Sequence, residues 1–594
     1  MAESETPRRR RGSSRRRRRA RLRRALLAAL VAGSVLLVSA GWVGFRGWQA
    51  RAHLVNAAGL ARDLSAQLVS GDTERAHRTL GALQEQAGAA RRATDDPGWW
   101  LGRQAPYAGD NLVAVRQIAV AIDDLARDAF PSLLRADLST LLPQGGRLDV
   151  RRLRALSTDL RAVDATVQQA RGSLADVPTA GLVAQVRAAL TDLRGEIDRL
   201  ADLTAAAGQA TRLLPPLLGV DGPRTYLLAF QNPAEVRATG GMIGAYALLH
   251  AEGGRLRLGG QGTSVGLRPF LPPLKIPDEV HALWGDLPGI YPADVNLSPH
   301  FPTAAALYRE MVRRKTGTTV DGVLAVDPVV LSYLLKATGP VPVPGGASLA
   351  SDTVVRTLLS DVYLRFDPRE QDDYYAAAAA AAFEALFTKK VDSRTILSVF
   401  GRSVTERRIL FWSARPEEQR TLGDSRMAGV LPETDTVPTV GVFLNDGSGT
   451  KLGYYLRNAA TLTVGDCQPD GTRELRLQVT LRSTAPKTGL NRSVLGAGRS
   501  PNPYAIRPLV SVYSPAGGGV VGARLDGAAL PVATGTERKR QVATARVELP
   551  PGASRTLEVT VHTAKTGSGT AELWLTPTAT PWTTQISTAP SCDQ

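Results

Sequence analysis

Cysteine is nearly absent: Cys467 and Cys592 are the only two in 594 residues. That excludes a disulfide-dense scaffold. It also excludes a cysteine-built zinc site, because two distant thiols cannot supply the ligand set. Histidine is scarce too. His53, His77, His250, His281, His300 and His562 never fall at ligand spacing, which argues against a histidine-built metal centre. Lysine numbers nine against 63 arginines, a bias that points to a GC-rich genome such as an actinobacterial one, and to no mechanism. The chain has no GxSxG elbow, no HExxH, no GxxxxGK(S/T) and no GxGxxG after a strand. The best-marked hydrolase, metalloprotease and nucleotide-binding classes lose their signatures with them. Mean hydropathy is only -0.10, which excludes a multi-pass membrane protein. With 43% hydrophobic and 21% charged residues, the composition is that of a globular protein. The length leaves room for three or four domains.

One long apolar run is present. Ala25–Phe45 reads ALLAALVAGSVLLVSAGWVGF and carries no charge. As a helix it is about 31 Å long, the thickness of a bilayer core. Trp42 and Trp48 stand where an interfacial aromatic belt would lie. Residues 1–24 hold 12 arginines against Glu3 and Glu5, so most of the net charge of +17 sits in this tail and the remainder is only mildly basic. The tail reads as a topology signal rather than a nucleic-acid-binding arm. By the positive-inside rule the N-terminus is cytoplasmic and everything after Arg46 lies outside. Val38-Ser39-Ala40 offers small residues for signal-peptide cleavage. The apolar run continues past that point, which favours a single-pass anchor in the cell membrane. Either way the body is exported. Export favours oxidation, so Cys467 and Cys592 are expected to be bonded, closing a loop of about 125 residues worth about 5 kcal/mol in the loop-entropy account. Two free thiols are the alternative.

Three regions follow the anchor, and the expected fold is multidomain: a transmembrane helix, an extracytoplasmic helical hairpin or bundle (46–215), an α/β central domain (216–430) and a C-terminal β-sandwich (431–594). In the first, Leu153, Leu156, Leu160, Val163 and Val167 form one helical stripe, and Val186, Leu190, Leu193, Ile197 and Leu200 another. GSLADVPTAG between them supplies a turn, so an antiparallel hairpin is expected. In the second, TYLLAF from Thr225 suits a buried strand, and AYALLHA with RLRLGG suits a hairpin about Gly253-Gly254. TAAALYREMVRRKTG and VVLSYLLKATG read as helices stopped by glycine, with the strand VDGVLAVDP between them. This alternation predicts a sheet covered by helices. In the third, ELRLQVTLRST, VATARVELPPG, RTLEVTVHTA and AELWLTPT alternate apolar and polar residues between Gly/Pro turns.

The densest polar segment is QNPAEVRATGGMIG, from Gln231 to Gly244. Asn232-Pro233 turns the chain, Glu235 and Arg237 share a face if extended, and Gly240-Gly241 permits positive φ or close backbone approach. An arginine beside such a turn suits a phosphate. An internal Glu235–Arg237 pair that fixes the loop is the structural reading. Arg237 and Asp327, each just past a strand end, are expected at one end of the sheet, facing a common crevice.

YLLAFQNPAEVRATGGMIGAYALL resembles the signature of the domain of unknown function family 4012, membrane-anchored exported proteins frequent in actinobacteria. The matching residues are Asn232, Glu235, Arg237, Gly240 and Gly241, with further matches in VDGVLAVDPVVLSYLLKATGPVPVP from Val320, VGVFLNDGSGTKLGYYL from Val440 and WWLGRQAPYAGDNL. His300 stands where the family pattern has Asp, so a metal role carried by that Asp would be lost here. The Val320 segment also resembles the LytR-CpsA-Psr domain, with Pro340 in place of the second glycine of a Gly-Gly-Val turn. YLRFDPREQDDYYAAAAAAAFEAL is similar to that family's arginine-bearing segment. Such domains bind polyprenyl pyrophosphates with Mg²⁺ and attach glycopolymers to the wall. By that resemblance Asp321 or Asp327 would hold Mg²⁺, and Arg237, Arg356, Arg365 and Arg369 would clamp phosphates.

Two functions are therefore expected. The first is a non-catalytic, membrane-anchored envelope scaffold or accessory factor for cell-wall or exopolysaccharide assembly, with no cofactor and with the membrane, envelope glycan and envelope proteins as partners. The alternative is a transferase acting on polyprenyl-pyrophosphate-linked glycans with Mg²⁺.

Overall fold

The computed structural model describes residues 13–70, 72–106, 108–135, 147–343, 348–389, 393–423, 425–434, 437–496, 501–590 and 592. The chain divides into two compact units, residues 1–137 with 154–211, and residues 138–153 with 212–594.

The first unit is helical. Its longest element, Ser13–Ser70, contains the expected span. Part of the arginine tail, residues 1–12, lies outside the described residues, as do the side chains of Ala25, Ala28, Ala29, Ala32, Val35 and Leu36 within the span. Among the described residues no helix is long and apolar enough to cross a membrane. The span's described side chains Leu26, Leu27, Leu30, Val31, Leu37 and Val38 are 60–76% exposed, leaving a broad apolar face open. The helix ends at Ser70. Asp72 then caps Thr73–Ala93, its carboxylate accepting the Arg75 N–H at 3.1 Å. The tryptophan-rich interruption forms a short helix, Pro97–Gly102, capped by Asp96. Asp96 also receives Trp42 Nε1 at 3.1 Å and Arg46 Nε at 2.7 Å, tying the end of the apolar run to this turn.

The two striped helices are Val150–Ala175 and Ala184–Leu217. Val163, Val167, Ala170 and Leu174 of the first share a core with Leu190, Ile197 and Ala201 of the second. Pairing is antiparallel: Arg171 meets Asp198 at 2.8 Å, and Thr204 donates to Asp164 at 3.0 Å. Arg194 closes the turn by donating to the carbonyls of Leu174 and Val177.

The second unit contains three sheets. Strands β1 (Arg224–Asn232), β2 (Met242–Glu252), β3 (Arg255–Thr263), β4 (Gly322–Val326) and β5 (Leu410–Ser413) form the first, in the order β3-β2-β1-β4-β5. Leu227, Ala229, Val323 and Ala325 on one face pack against Ala304, Tyr308, Met311 and Val312 of the helix Phe301–Thr316. Tyr226, Leu249 and Phe411 on the other face pack against Leu213. An α/β sheet with both faces covered is thus present. Its strands are mostly antiparallel, however, and only β1 and β4 run parallel. Alternation of strand and helix along a chain does not distinguish a parallel sheet from a mixed one. The parallel pair places Phe230 opposite Val326, so the chain after β1 and Asp327 after β4 emerge at one end, as expected.

Two further sheets pack face to face. One has the order β11-β10-β14-β8-β7-β16: β11 (Ala528–Ala529), β10 (Gly519–Leu525), β14 (Ser554–His562), β8 (Arg473–Ser483), β7 (Leu456–Cys467) and β16 (Thr583–Ile586). The other has the order β12-β13-β9-β6-β15: β12 (Ala533–Glu537), β13 (Arg540–Arg546), β9 (Pro508–Tyr513), β6 (Thr439–Asp446) and β15 (Glu572–Leu575). Alternate residues of each meet in one core, Leu475, Leu477, Val479 and Leu481 against Val440, Val442, Val510 and Val512. Cys467 and Cys592 are bonded, with Cα atoms 5.5 Å apart. The bond ties the end of β7 to the chain that follows β16.

Candidate functional site

The signature segment leaves β1 and is built into the edge of the sandwich. Asn232 Oδ1 accepts the Ala234 N–H at 3.0 Å, which turns the chain. Alternate residues of the extended stretch then bond across to the β module. The Ala234 carbonyl accepts Gly453 N–H (2.9 Å) and the Val236 carbonyl accepts Asp446 N–H (2.8 Å). Ala238 N–H donates to Asn445 Oδ1 (3.0 Å), while its carbonyl accepts the Thr576 hydroxyl (3.1 Å). Gly240 has φ +141°. A Cβ on Gly241 would stand 2.2 Å from the carbonyl carbon of Asn232 and 2.5 Å from Pro233 N, so the backbone crosses itself where no side chain fits.

Arg237 is buried, and its partner is not Glu235. Its guanidinium pairs with Asp294 at 3.0 Å and donates to the carbonyls of Ala293 (3.2 Å) and Val236 (3.0 Å). Glu235 turns the other way and meets Lys451 at 3.0 Å. The Lys451 ammonium lies 4.9 Å from the Tyr363 ring centre, and Asn232 Nδ2 donates to the Tyr363 hydroxyl at 2.7 Å. Burial raises both Tyr363 and Tyr375 above the ordinary tyrosine range, and the nearby Glu235 charge adds to the shift, so both phenols stay protonated at neutral pH. Lys451, Tyr363 and Asp294 carry no motif of their own in the sequence. Lys451 does fall inside GSGTKLGYYL, part of a segment that carries the sequence resemblance, which was the one available signal.

Asp327 reaches the same end of the sheet but not the same crevice. Its Oδ1 caps the helix Pro328–Thr338 through the N–H groups of Val329 (2.9 Å) and Val330 (3.0 Å). Its Oδ2 accepts Arg408 at 2.6 Å, an ion pair buried on both sides. Arg408 also meets Glu406 at 2.6 Å, and Glu406 accepts the Tyr333 hydroxyl and Arg402 Nε. Burial pushes the Glu406 carboxyl up, but hydrogen bonds from Arg402 and Arg408 outweigh it and hold the group below its ordinary range.

The remaining candidates do not gather here. Asp321 precedes β4, about 20 Å of strand away from Asp327, and bonds Thr225 N–H and Arg224. The two aspartates therefore do not form one cation site. Among the described residues no group of three or more His, Cys, Asp or Glu side chains could hold a metal ion. Arg356 is 62% exposed and pairs with Asp361 at 3.4 Å. Arg365 ends the exposed rim of a short helix, and Arg369 lies on the exposed first turn of Pro368–Thr388. The arginine clamp expected from Arg237, Arg356, Arg365 and Arg369 is thus dispersed. His300 sits at the start of Phe301–Thr316, bonded to Thr303 at 2.7 Å.

A mixed α/β sheet whose β1–β2 connection is welded into a two-sheet β module defines the architectural class. Residues 221–363 match the family described as Protein of unknown function (DUF4012). The match takes in β1 to β4 and the signature loop and ends at Tyr363, so the loop's sandwich partners lie outside it. Comparison with curated proteins gives no match. Among solved structures, a "putative nutrient binding protein" from Legionella pneumophila subsp. pneumophila is similar at 8% identity with a TM-score of 0.14. The alignment covers 21% of this chain and 42% of that one, less than half its length, and carries no argument.

Proposed function

We propose that the protein is a single-pass, membrane-anchored envelope protein that acts as a non-catalytic scaffold or accessory factor in cell-wall or exopolysaccharide assembly. One observation carries the non-catalytic part. The signature segment is spent on structure: Arg237–Asp294 holds it within the central region, and Glu235–Lys451 with the Asn445 and Thr576 bonds joins it to the β module. The anchor is supported by the exposed apolar face of the first helix and by the arginines that precede it. A disulfide fits an exported body.

Two experiments test this. Protease added to intact cells after wall digestion should remove the body and leave a short N-terminal fragment. A body that survives until lysis overturns the topology. For the role, a deletion strain is complemented with Arg365→Ala/Arg369→Ala, two exposed changes that spare the fold. Full restoration of the envelope phenotype supports the scaffold. Failure at normal protein level, together with Mg²⁺-dependent turnover of a polyprenyl-pyrophosphate-linked glycan by the wild-type chain, would replace it with the transferase.

A further inference from the structure

Arg407 is 1% exposed, and no carboxylate among the described residues lies within ion-pair distance of it. Its guanidinium lies 4.9 Å from the Trp574 ring centre and 5.2 Å from that of Phe443. Its two hydrogen bonds, to the carbonyls of Leu575 (3.3 Å) and Pro299 (3.5 Å), are long, and its Nε has no partner. Burial, then repulsion from Arg426, lowers its pKa to about 9, which still leaves it charged at neutral pH. The backbone at Arg407 is left-handed, φ 57°, a strained choice for a long side chain. An uncompensated buried cation is destabilising, and a well-placed counter-charge offsets part of that.

A cavity of about 250 Å³ lies beside it. Arg407 and Arg426 line it together with Leu575, Pro581, Trp582 and Ile586. Around it, Arg408 is matched by Asp327 and Glu406, Arg402 by Glu406, and Arg426 by Glu572. Four arginines thus face three carboxylates, and the charge left over is that of Arg407. The walls mix apolar Leu575, Pro581, Trp582 and Ile586 with the polar Thr576 and the already paired Glu406. We infer that this cavity, at the β15 and β16 edges of the sandwich, binds a small oxyanion, phosphate ester or carboxylate, carried on an apolar or ring-shaped body, with Arg407 as its counter-charge. The volume suits one charged group and one small ring. This site is independent of the signature loop and of whether the protein is catalytic.

The test uses the full chain in lipid nanodiscs, with phenyl phosphate, benzoate and neutral benzamide as probes. Binding is read by calorimetry and by the fluorescence of the tryptophans beside the cavity. At least one anion should bind saturably, with benzamide about tenfold weaker or more. Phenyl phosphate alone would assign a phosphate ester, benzoate alone a carboxylate. Ile586→Glu places a negative charge on the rim at a 40% exposed position and should weaken the anion about tenfold. Arg407→Met should abolish binding; if that chain does not fold, Ile586→Glu decides alone. Equal binding of benzamide, no saturable anion up to roughly 10 mM, or an unchanged Ile586→Glu would each overturn the inference.

Discussion

Replacing Arg237 by alanine should cost stability, and the structure sets how much. The substitution strands the Asp294 carboxylate and leaves the Ala293 and Val236 carbonyls without their donor. Removing one partner of a fully buried pair costs about 3–5 kcal/mol. The Asp294 side chain is 20% exposed and regains some water, which places the expected loss at the low end, about 3 kcal/mol. For a unit of this size that lowers Tm by about 4 °C. Differential scanning calorimetry of the full chain measures it. Arg237→Ala/Asp294→Asn removes the stranded charge and should recover about 1 kcal/mol of the loss. A Tm within about 1 °C of wild type would refute the reasoning, because it would mean that Arg237 is not holding the loop and is free for a ligand.

Three further outcomes follow from the same geometry. Gly241→Ala drives a Cβ into the Asn232–Pro233 backbone and should cost more than about 3 kcal/mol, seen as loss of soluble folded protein or a collapsed urea midpoint. Unreduced peptide mapping should find Cys467 linked to Cys592, and Cys467→Ser/Cys592→Ser should lose up to about 5 kcal/mol, checked by chemical denaturation; a stability equal to wild type would show that the link is not structural. His300 is held neutral by burial and then by the Arg538 charge, its pKa lowered from 6.5 to about 3. The unfolded chain therefore takes up a proton near pH 6.5 that the folded chain refuses, so this stability is present above pH 6.5 and is lost as pH falls towards 3. His300→Gln should flatten the stability profile between pH 6 and pH 4 by about 1 kcal/mol per unit at most; an unchanged slope would contradict the assignment.

Local elements were legible because their signals are local. The stripes at Leu153 and Val186, the strand TYLLAF, the Gly253-Gly254 hairpin and the Gly317 stop all depend on residues a few positions apart. The signature segment was recognisable as special, and its emergence at a sheet end followed from the apolar strand before it. Its partners were not legible. Lys451, Asn445 and Thr576 lie more than 200 residues downstream, and Asp294 sits in an unremarkable loop. Arg237 looked like a ligand residue because guanidinium serves phosphates and buried carboxylates equally well. Arg407 was invisible for a related reason. Nothing in ERRIL says that one arginine of the pair meets Asp327 while its neighbour is buried with no acid beside it among the described residues.

The weld between the β1–β2 connection and the sandwich also imposes an order of events during synthesis. Ala234, Val236 and Ala238 leave the ribosome long before Asn445, Gly453 and Thr576, the residues that satisfy their peptide groups. Until then these groups must be served by water or by a chaperone, and the connection has no reason to adopt its final path. The connection cannot be finished with the central sheet; it waits for the last strands to arrive. A chain truncated anywhere before Thr576 is therefore expected to be recognised as unfinished well upstream of the cut, at a loop that it contains in full.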